Sequence, residues 1–79
     1  MQKIRSVGVV GLGVIGRAVC RALDEGIPGL RLAGGFARNH ERAGRFLASL
    51  RSSPPLLPLA ELISASDIVV EASTQAHLE

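Results

Sequence analysis

Residues 7–19 read VGVVGLGVIGRAV, with three glycines, Gly11, Gly13 and Gly16, directly after an apolar run. Glycine contributes to chemistry by leaving the backbone bare. Between a strand and a helix, a G-x-G-x-x-G run gives each glycine a task. Gly11 permits the tight strand-to-helix turn. Gly13 keeps side chains out of the path of a diphosphate, and Gly16 lets the helix pack closely on the sheet. Amides at the helix start, around Val14 and Ile15, then present donors and the positive end of the helix dipole to phosphate oxygens. The pattern predicts a dinucleotide-binding loop. Its alternative is a small-residue corner between two buried elements, with no ligand.

The end of the second strand decides which dinucleotide. An acid about 20 residues past the glycines would hold the adenosine ribose hydroxyls of NAD. Here the chain reads Phe36-Ala37-Arg38-Asn39-His40, with Ala37 where the acid is expected and Arg38 directly after it. Without a carboxylate there is no repulsion against a 2′-phosphate, and a guanidinium can pair with that phosphate or stack on adenine. Arg42 and the helix start after Asn39 add positive potential. The expected coenzyme is NADP or NAD, with NADP favoured. The alternative is that Arg38 and Arg42 are ordinary solvated residues and NAD binds less selectively.

Other candidates offer less. Cys20 lies on the first helix between the apolar positions Val19 and Ala22, which suits a packed or part-exposed thiol; no partner base is in sight. His40 reads as a first-turn residue of the second helix, and His77 as the start of a helix after the last strand. Neither has an Asp or Ser arrangement that points to catalysis, and no catalytic or metal-binding residue is assigned. Asp67 and Glu71 flank a strand and suit solubility or capping. Ser73, Thr74 and Gln75 follow the carboxyl end of that strand. In open parallel sheets that end faces the ligand crevice, so they could line the pyrophosphate or the nicotinamide-side ribose; a plain polar loop is the alternative.

The elements that must position these residues follow from periodicity. Ser6–Val10 is a short apolar run, and Gly8 within it admits a close neighbour. Ile15, Ala18, Val19, Ala22 and Leu23 recur as one helical face, stopped by Gly26 and Pro28. Leu30–Phe36 reads as a strand weakened by Gly34-Gly35. Asn39 can cap a second helix carrying Ala43, Phe46, Leu47 and Leu50. After the loop Ser52-Ser53-Pro54-Pro55, Leu56-Leu57 suggests a brief third strand. Leu59, Leu62 and Ile63 suggest a short helix, and Asp67–Ala72 a fourth strand. Strands alternating with amphipathic helices predict an α/β fold: a Rossmann-like parallel sheet with flanking helices, incomplete at about four strands.

Composition narrows the class. A chain of 79 residues is at most one small domain. Hydrophobic residues make up 47% and charged residues 20%, which suits a folded α/β unit. No apolar run approaches the roughly 20 residues that span a bilayer, and no signal-peptide pattern opens the chain. A single cysteine allows no internal disulfide. The cytoplasm is the expected compartment. All nine Lys and Arg lie in residues 1–51, and the acids beyond that point have no base beside them. A basic amino-terminal part suits an anionic ligand. With only two aromatics, Phe36 and Phe46, base-stacking platforms are scarce. The expected partners are a small-molecule substrate of the full-length protein, no nucleic acid and no membrane; homo-oligomer formation is left open.

Four stretches together carry a family resemblance: VGVVGLGVIG, DEGIPGLRLAG, ARNHERA and PLAELISASDIVVEAS. They resemble the amino-terminal part of L-aspartate dehydrogenase over nearly the whole chain. Homoserine dehydrogenase, dihydrodipicolinate reductase and the glucose-fructose oxidoreductase family are similar over the same region. The resemblance implies an NAD(P)-dependent oxidoreductase that converts L-aspartate to iminoaspartate, or to oxaloacetate and ammonia. It implies that the coenzyme lies on Gly11, Gly13 and Gly16 and runs past Ala72, Ser73 and Thr74. Ala37 departs from the acid of many relatives. The family's catalytic histidine belongs to a later α/β domain that nothing here matches. Residues 1–79 are therefore expected to be the amino-terminal NAD(P)-binding fragment, inactive alone, with the catalytic domain absent. A non-catalytic nucleotide-sensing module is the reading from another class.

Overall fold

The computed structural model describes residues 3–73; Thr74, His77 and the other positions beyond Ser73 lie outside the described residues. The elements run β1 (Arg5–Val10), α1 (Val14–Glu25), β2 (Leu30–Phe36), α2 (His40–Ala48), α3 (Leu59–Ala65) and β3 (Ile68–Glu71). The strands form one parallel sheet in the order β2-β1-β3. This is the expected incomplete Rossmann-like α/β architecture, with helices flanking the sheet. Val10 pairs with Phe36 on one side and Glu71 on the other, so all three strands end on one line.

Three strands are present among the described residues, where about four were expected. Leu56 makes a single parallel bridge to Gly35, carried by Gly35 N–H to the Pro55 carbonyl (3.0 Å) and Leu57 N–H to the Gly35 carbonyl (2.9 Å). Pro54, Pro55 and Pro58 crowd this segment, and a residue without an N–H cannot extend a ladder.

The core joins Val7 and Val9 of β1 to Cys20 and Leu23 of α1, Leu32 of β2, and Ala43, Phe46 and Leu47 of α2. The face of α2 is the expected one, with Leu50 half-buried against it. Asn39 caps the helix as expected, its Oδ1 accepting from Arg42 N–H (3.1 Å). The face of α1 is the expected one at Val19 and Leu23 and shifts from it at the other three positions. Gly16, Cys20 and Leu23 are buried and Val19 is half-buried, whereas Ile15, Ala18 and Ala22 are exposed. On the other side of the sheet, α3 inserts Leu62, and a Cβ on Gly8 would stand 2.9 Å from it, as the strand glycine suggested.

Two carboxylates fasten elements that are distant in sequence. Asp67 Oδ2 accepts from Ser6 N–H (2.8 Å) while its own N–H donates to the Ser6 carbonyl (2.8 Å), which locks the entry of β3 onto β1. Asp24, at the end of α1, accepts from Arg51 N–H (2.8 Å), Ser52 N–H (3.1 Å) and Ser52 Oγ (2.8 Å). It thereby ties the turn after α2 to the end of α1. The Arg51 amide bond, ahead of those from Ser52, holds the Asp24 carboxyl below its ordinary value of 3.8.

A carboxyl with a lowered pKa in the folded state stabilises fully above the unfolded value and loses that contribution as pH falls through the folded value. Asp24→Asn should therefore lower stability at neutral pH. The gap from the wild type should narrow as pH falls below 3.8. Urea unfolding midpoints measured at about pH 7 and about pH 3 check this; an equal gap at both would exclude the latch.

Candidate functional site at the carboxyl rim

The loop after β1 is shaped by two glycine contacts. Gly11 has φ +92° and donates its N–H to the Phe36 carbonyl (2.8 Å). A Cβ there would lie 2.6 Å from the backbone of Ser73, so the loops after β1 and β3 touch at this point. A Cβ on Gly16 would overlap the carbonyl oxygen of Gly11. The helix therefore rests on the loop with no room for even a methyl group. Gly13 is the N-cap of α1 and brings no capping side chain of its own. Val14, beside it, is 84% exposed. A twelve-residue helix thus opens at the rim with its positive end directed there and with no side chain on its N-cap residue.

A cleft of about 280 Å³ lies at this opening. The loop and α1 contribute Leu12, Gly13, Val14 and Arg17; the end of β2 and the start of α2 contribute Ala37, Asn39, Arg42 and Ala43. Its volume sits near the low end of small-molecule sites, roughly 300–1,000 Å³, as expected of an open trough. Among the described residues, two of its side chains are cationic and none is acidic. Such a cleft can hold an anion against an apolar floor.

The structure brings Gly13, Val14, Ala37 and Asn39 of the expected set together in one cleft, with Gly11 and Gly16 shaping it from behind. Ile15 is 51% exposed on the outer side of α1. Arg38 is exposed and does not line the cleft. Ala72 is buried, its N–H donating to the Val10 carbonyl (2.8 Å). Ser73 is exposed; its N–H (2.6 Å) and its hydroxyl both donate to Glu71 Oε1. The hydroxyl bond, then the amide bond, holds the Glu71 carboxyl below its ordinary value. Thr74 lies outside the described residues.

Arg17 is the residue that pattern reading missed. Its N–H bonds to the Gly13 carbonyl (2.9 Å), its Nε donates to the Leu12 carbonyl (3.0 Å), and its guanidinium sits 5.3 Å from the Phe46 ring centre. The available signal was its spacing: four residues from Gly13 is one turn above it on the same helix side.

Cys20 is fully buried, and burial, then the charge of Asp24, pushes its thiol up to about 11. It is a packed core thiol, without thiolate reactivity at neutral pH. Among the described residues, no three His, Cys, Asp or Glu side chains group as a metal site, and no helix is long and apolar enough to cross a membrane.

Comparison with known proteins agrees with this geometry. The family model described as homoserine dehydrogenase, NAD binding domain, matches residues 11–79. L-aspartate dehydrogenase of Methanocella arvoryzae is 44% identical over 70 residues, covering 89% of this chain and 26% of that protein. The L-aspartate dehydrogenase of Bradyrhizobium diazoefficiens is 40% identical over 72 residues, covering 91% and 25%. L-aspartate dehydrogenase 3 of Bordetella bronchiseptica is 41% identical over 73 residues, covering 91% and 27%. The resemblance read from the motifs is thus borne out, and the chain spans about a quarter of the length of these relatives. No solved structure gives a significant match.

The seating of α1 is tested by two glycines of one type in different surroundings. Gly16→Ala should cost about 1–3 kcal/mol, because the new methyl overlaps backbone that cannot yield. Gly44, inside α2, has open space around a Cβ, and Gly44→Ala should gain about 0.5–1 kcal/mol from helix propensity. Chemical denaturation of both variants checks the pair. A Gly16→Ala protein as stable as the wild type would refute the close seating.

Proposed function

We infer the function from one premise: this chain belongs to the homoserine dehydrogenase, NAD binding domain family. We propose that residues 1–79 are the amino-terminal coenzyme-binding portion of an L-aspartate dehydrogenase-like oxidoreductase that acts in the cytoplasm. The observation that carries this reading is the cleft itself: Gly13 and Val14 at the start of α1 line it opposite a β2 end where Ala37 stands in place of an acid.

The residues present fit a nicotinamide dinucleotide. The pyrophosphate would lie on the loop shaped by Gly11, Gly13 and Gly16, against the first-turn amides of α1 around Val14 and Ile15. The adenosine end would run toward Ala37, Arg38 and Asn39, and the nicotinamide end past Ala72, Ser73 and Thr74. When bound, the coenzyme supplies the hydride acceptor for oxidation of L-aspartate to iminoaspartate. This chain's own residues bind and orient it. NADP is favoured over NAD, because Ala37 lines the cleft where a carboxylate would repel a 2′-phosphate, and Arg42 lines it too. The name of the matching family makes homoserine oxidation the second reading of the substrate.

Titration of NADPH and NADH against the wild type and Ala37→Asp tests the coenzyme reading. The wild type should bind NADPH more tightly. The added carboxylate should weaken NADPH by about tenfold or more while sparing or improving NADH. Failure of the wild type to bind either coenzyme would overturn the reading.

Turnover gives a second test. The 79-residue chain should bind coenzyme without oxidising L-aspartate or homoserine, because hydride transfer needs a substrate held against the nicotinamide. Turnover of either substrate by this chain would refute the division of labour. In the longer protein, activity on homoserine but not on L-aspartate would move the assignment to the second reading.

A further inference from the structure

We propose that the phosphate-reading group of this site is Arg17, on the glycine-loop helix, and that its ligand is a phosphomonoester on the ribose at the adenosine end of the coenzyme. The proposal rests on the coenzyme reading above and deepens it, by moving the specificity contact from the strand end to α1.

A second cleft, of about 300 Å³, is lined by Arg17, Arg42, Arg45 and Phe46. It shares Arg17 and Arg42 with the first cleft and lacks Gly13 and Val14. The two clefts adjoin at Arg17 and Arg42, and the second is bordered by Arg45 and Phe46 of α2 in place of the glycine loop. A ligand whose diphosphate sits at the start of α1 would bring its adenosine ribose toward the second cleft. Three guanidinium groups line it.

Arg17 is held ready for an anion. The Nε bond to Leu12 fixes the guanidinium plane, and the Phe46 ring supports it. Arg21 lies 5.3 Å from the same ring centre, so two guanidinium groups are gathered on one buried aromatic side chain. Gathering like charges raises the electrostatic free energy unless an anion enters. Among the described residues, no carboxylate pairs with Arg17, Arg21 or Arg42; Glu41 pairs with Arg45 at 3.6 Å, both exposed. With Nε engaged by the loop, the two terminal nitrogens of Arg17 remain for a forked contact with phosphate oxygens. Arg38 lines neither cleft.

The test uses two probes that differ by one phosphate, adenosine 2′,5′-bisphosphate and adenosine 5′-monophosphate, titrated calorimetrically against this chain. The wild type should prefer the bisphosphate. Arg17→Gln should reduce bisphosphate affinity by about tenfold or more while leaving the monophosphate within about twofold. Arg42→Gln, at an exposed position, should act in the same direction and decides the matter if Arg17→Gln does not fold. Arg38→Gln should leave the preference intact. Equal loss of both probes in Arg17→Gln, or loss of the preference in Arg38→Gln alone, would overturn the proposal. Displacement of the bisphosphate by equimolar inorganic phosphate would overturn it too, by showing a site for free anions. A wild type that binds both probes equally refutes the phosphate contact and leaves the coenzyme reading standing. A wild type that binds neither refutes the coenzyme reading itself.

Discussion

The carbonyl of Gly11 occupies the space that a side chain on Gly16 would need, and this contact governs how α1 meets the sheet. A helix seated on backbone has little freedom to roll. With Gly16 against the loop, Cys20 and Leu23 fall one and two turns along on the same side and enter the core. Ile15, Ala18 and Ala22 must then face outward. The same seating aims the start of the helix at the rim, with Gly13 and Val14 at the cleft. It also sets Arg17 beside the Leu12 carbonyl and the Phe46 ring. One steric contact therefore sets the buried stripe, the direction of the dipole and the position of the first cation.

The sheet supplies the second half of this arrangement. Because Val10 is level with both Phe36 and Glu71, the loops after all three strands leave from one edge. Hydrogen bonds continue the ladder past the strand ends: Gly11 N–H to Phe36 and Ala72 N–H to Val10, each at 2.8 Å. The glycine loop is thus braced on both sides, which leaves few ways for it to collapse into the cleft. With β1 central and its neighbours reached in opposite directions, the crevice falls where the strand order reverses, the place where open α/β sheets bind ligands. At the opposite end, Asp67 fixes the β3 register by exchanging two hydrogen bonds with Ser6. A slip there would move Ala72 and Ser73 away from Gly11.

How much of this could be read from the chain alone differs by element, for physical reasons. The alternation of strands and helices, the Asn39 cap and the apolar stripe of α2 are local signals, and each stands as expected. The stripe of α1 is legible only in part because that helix carries two overlapping apolar faces. Val19 and Leu23 belong to both faces, and periodicity cannot choose between Ile15, Ala18 and Ala22 on one flank and Gly16 and Cys20 on the other. The choice is made by a backbone contact across the loop, which hydrophobicity does not record. Leu56-Leu57 has the composition of a strand, but the prolines around it leave too few donors for more than one bridge. The two carboxylate fasteners join residues 27 and 61 positions apart, so no neighbouring residue announces them. Arg17 was passed over because it is polar within an apolar pattern; only its spacing from Gly13 connects it to the site.

The charge distribution acquires meaning once these contacts are placed. The amino-terminal excess of bases would be unremarkable if the acids nearby neutralised it. At the cleft they do not, because two of the three, Asp24 and Glu41, are engaged elsewhere and the third, Glu25, does not line it. Asp24 accepts from the Arg51 and Ser52 amides and the Ser52 hydroxyl, and Glu41 reaches Arg45 on the exposed face of α2. Among the described residues, Arg17 and Arg42 consequently meet the cleft without a counter-charge. On the β3 side the sign reverses, since the Glu71 carboxyl is kept ionised by the Ser73 hydroxyl and amide. On the coenzyme reading, this polarity orients the ligand along the rim. An end rich in phosphate is drawn toward α1 and α2 and repelled from β3, so the strand order and the charges select the same direction of binding.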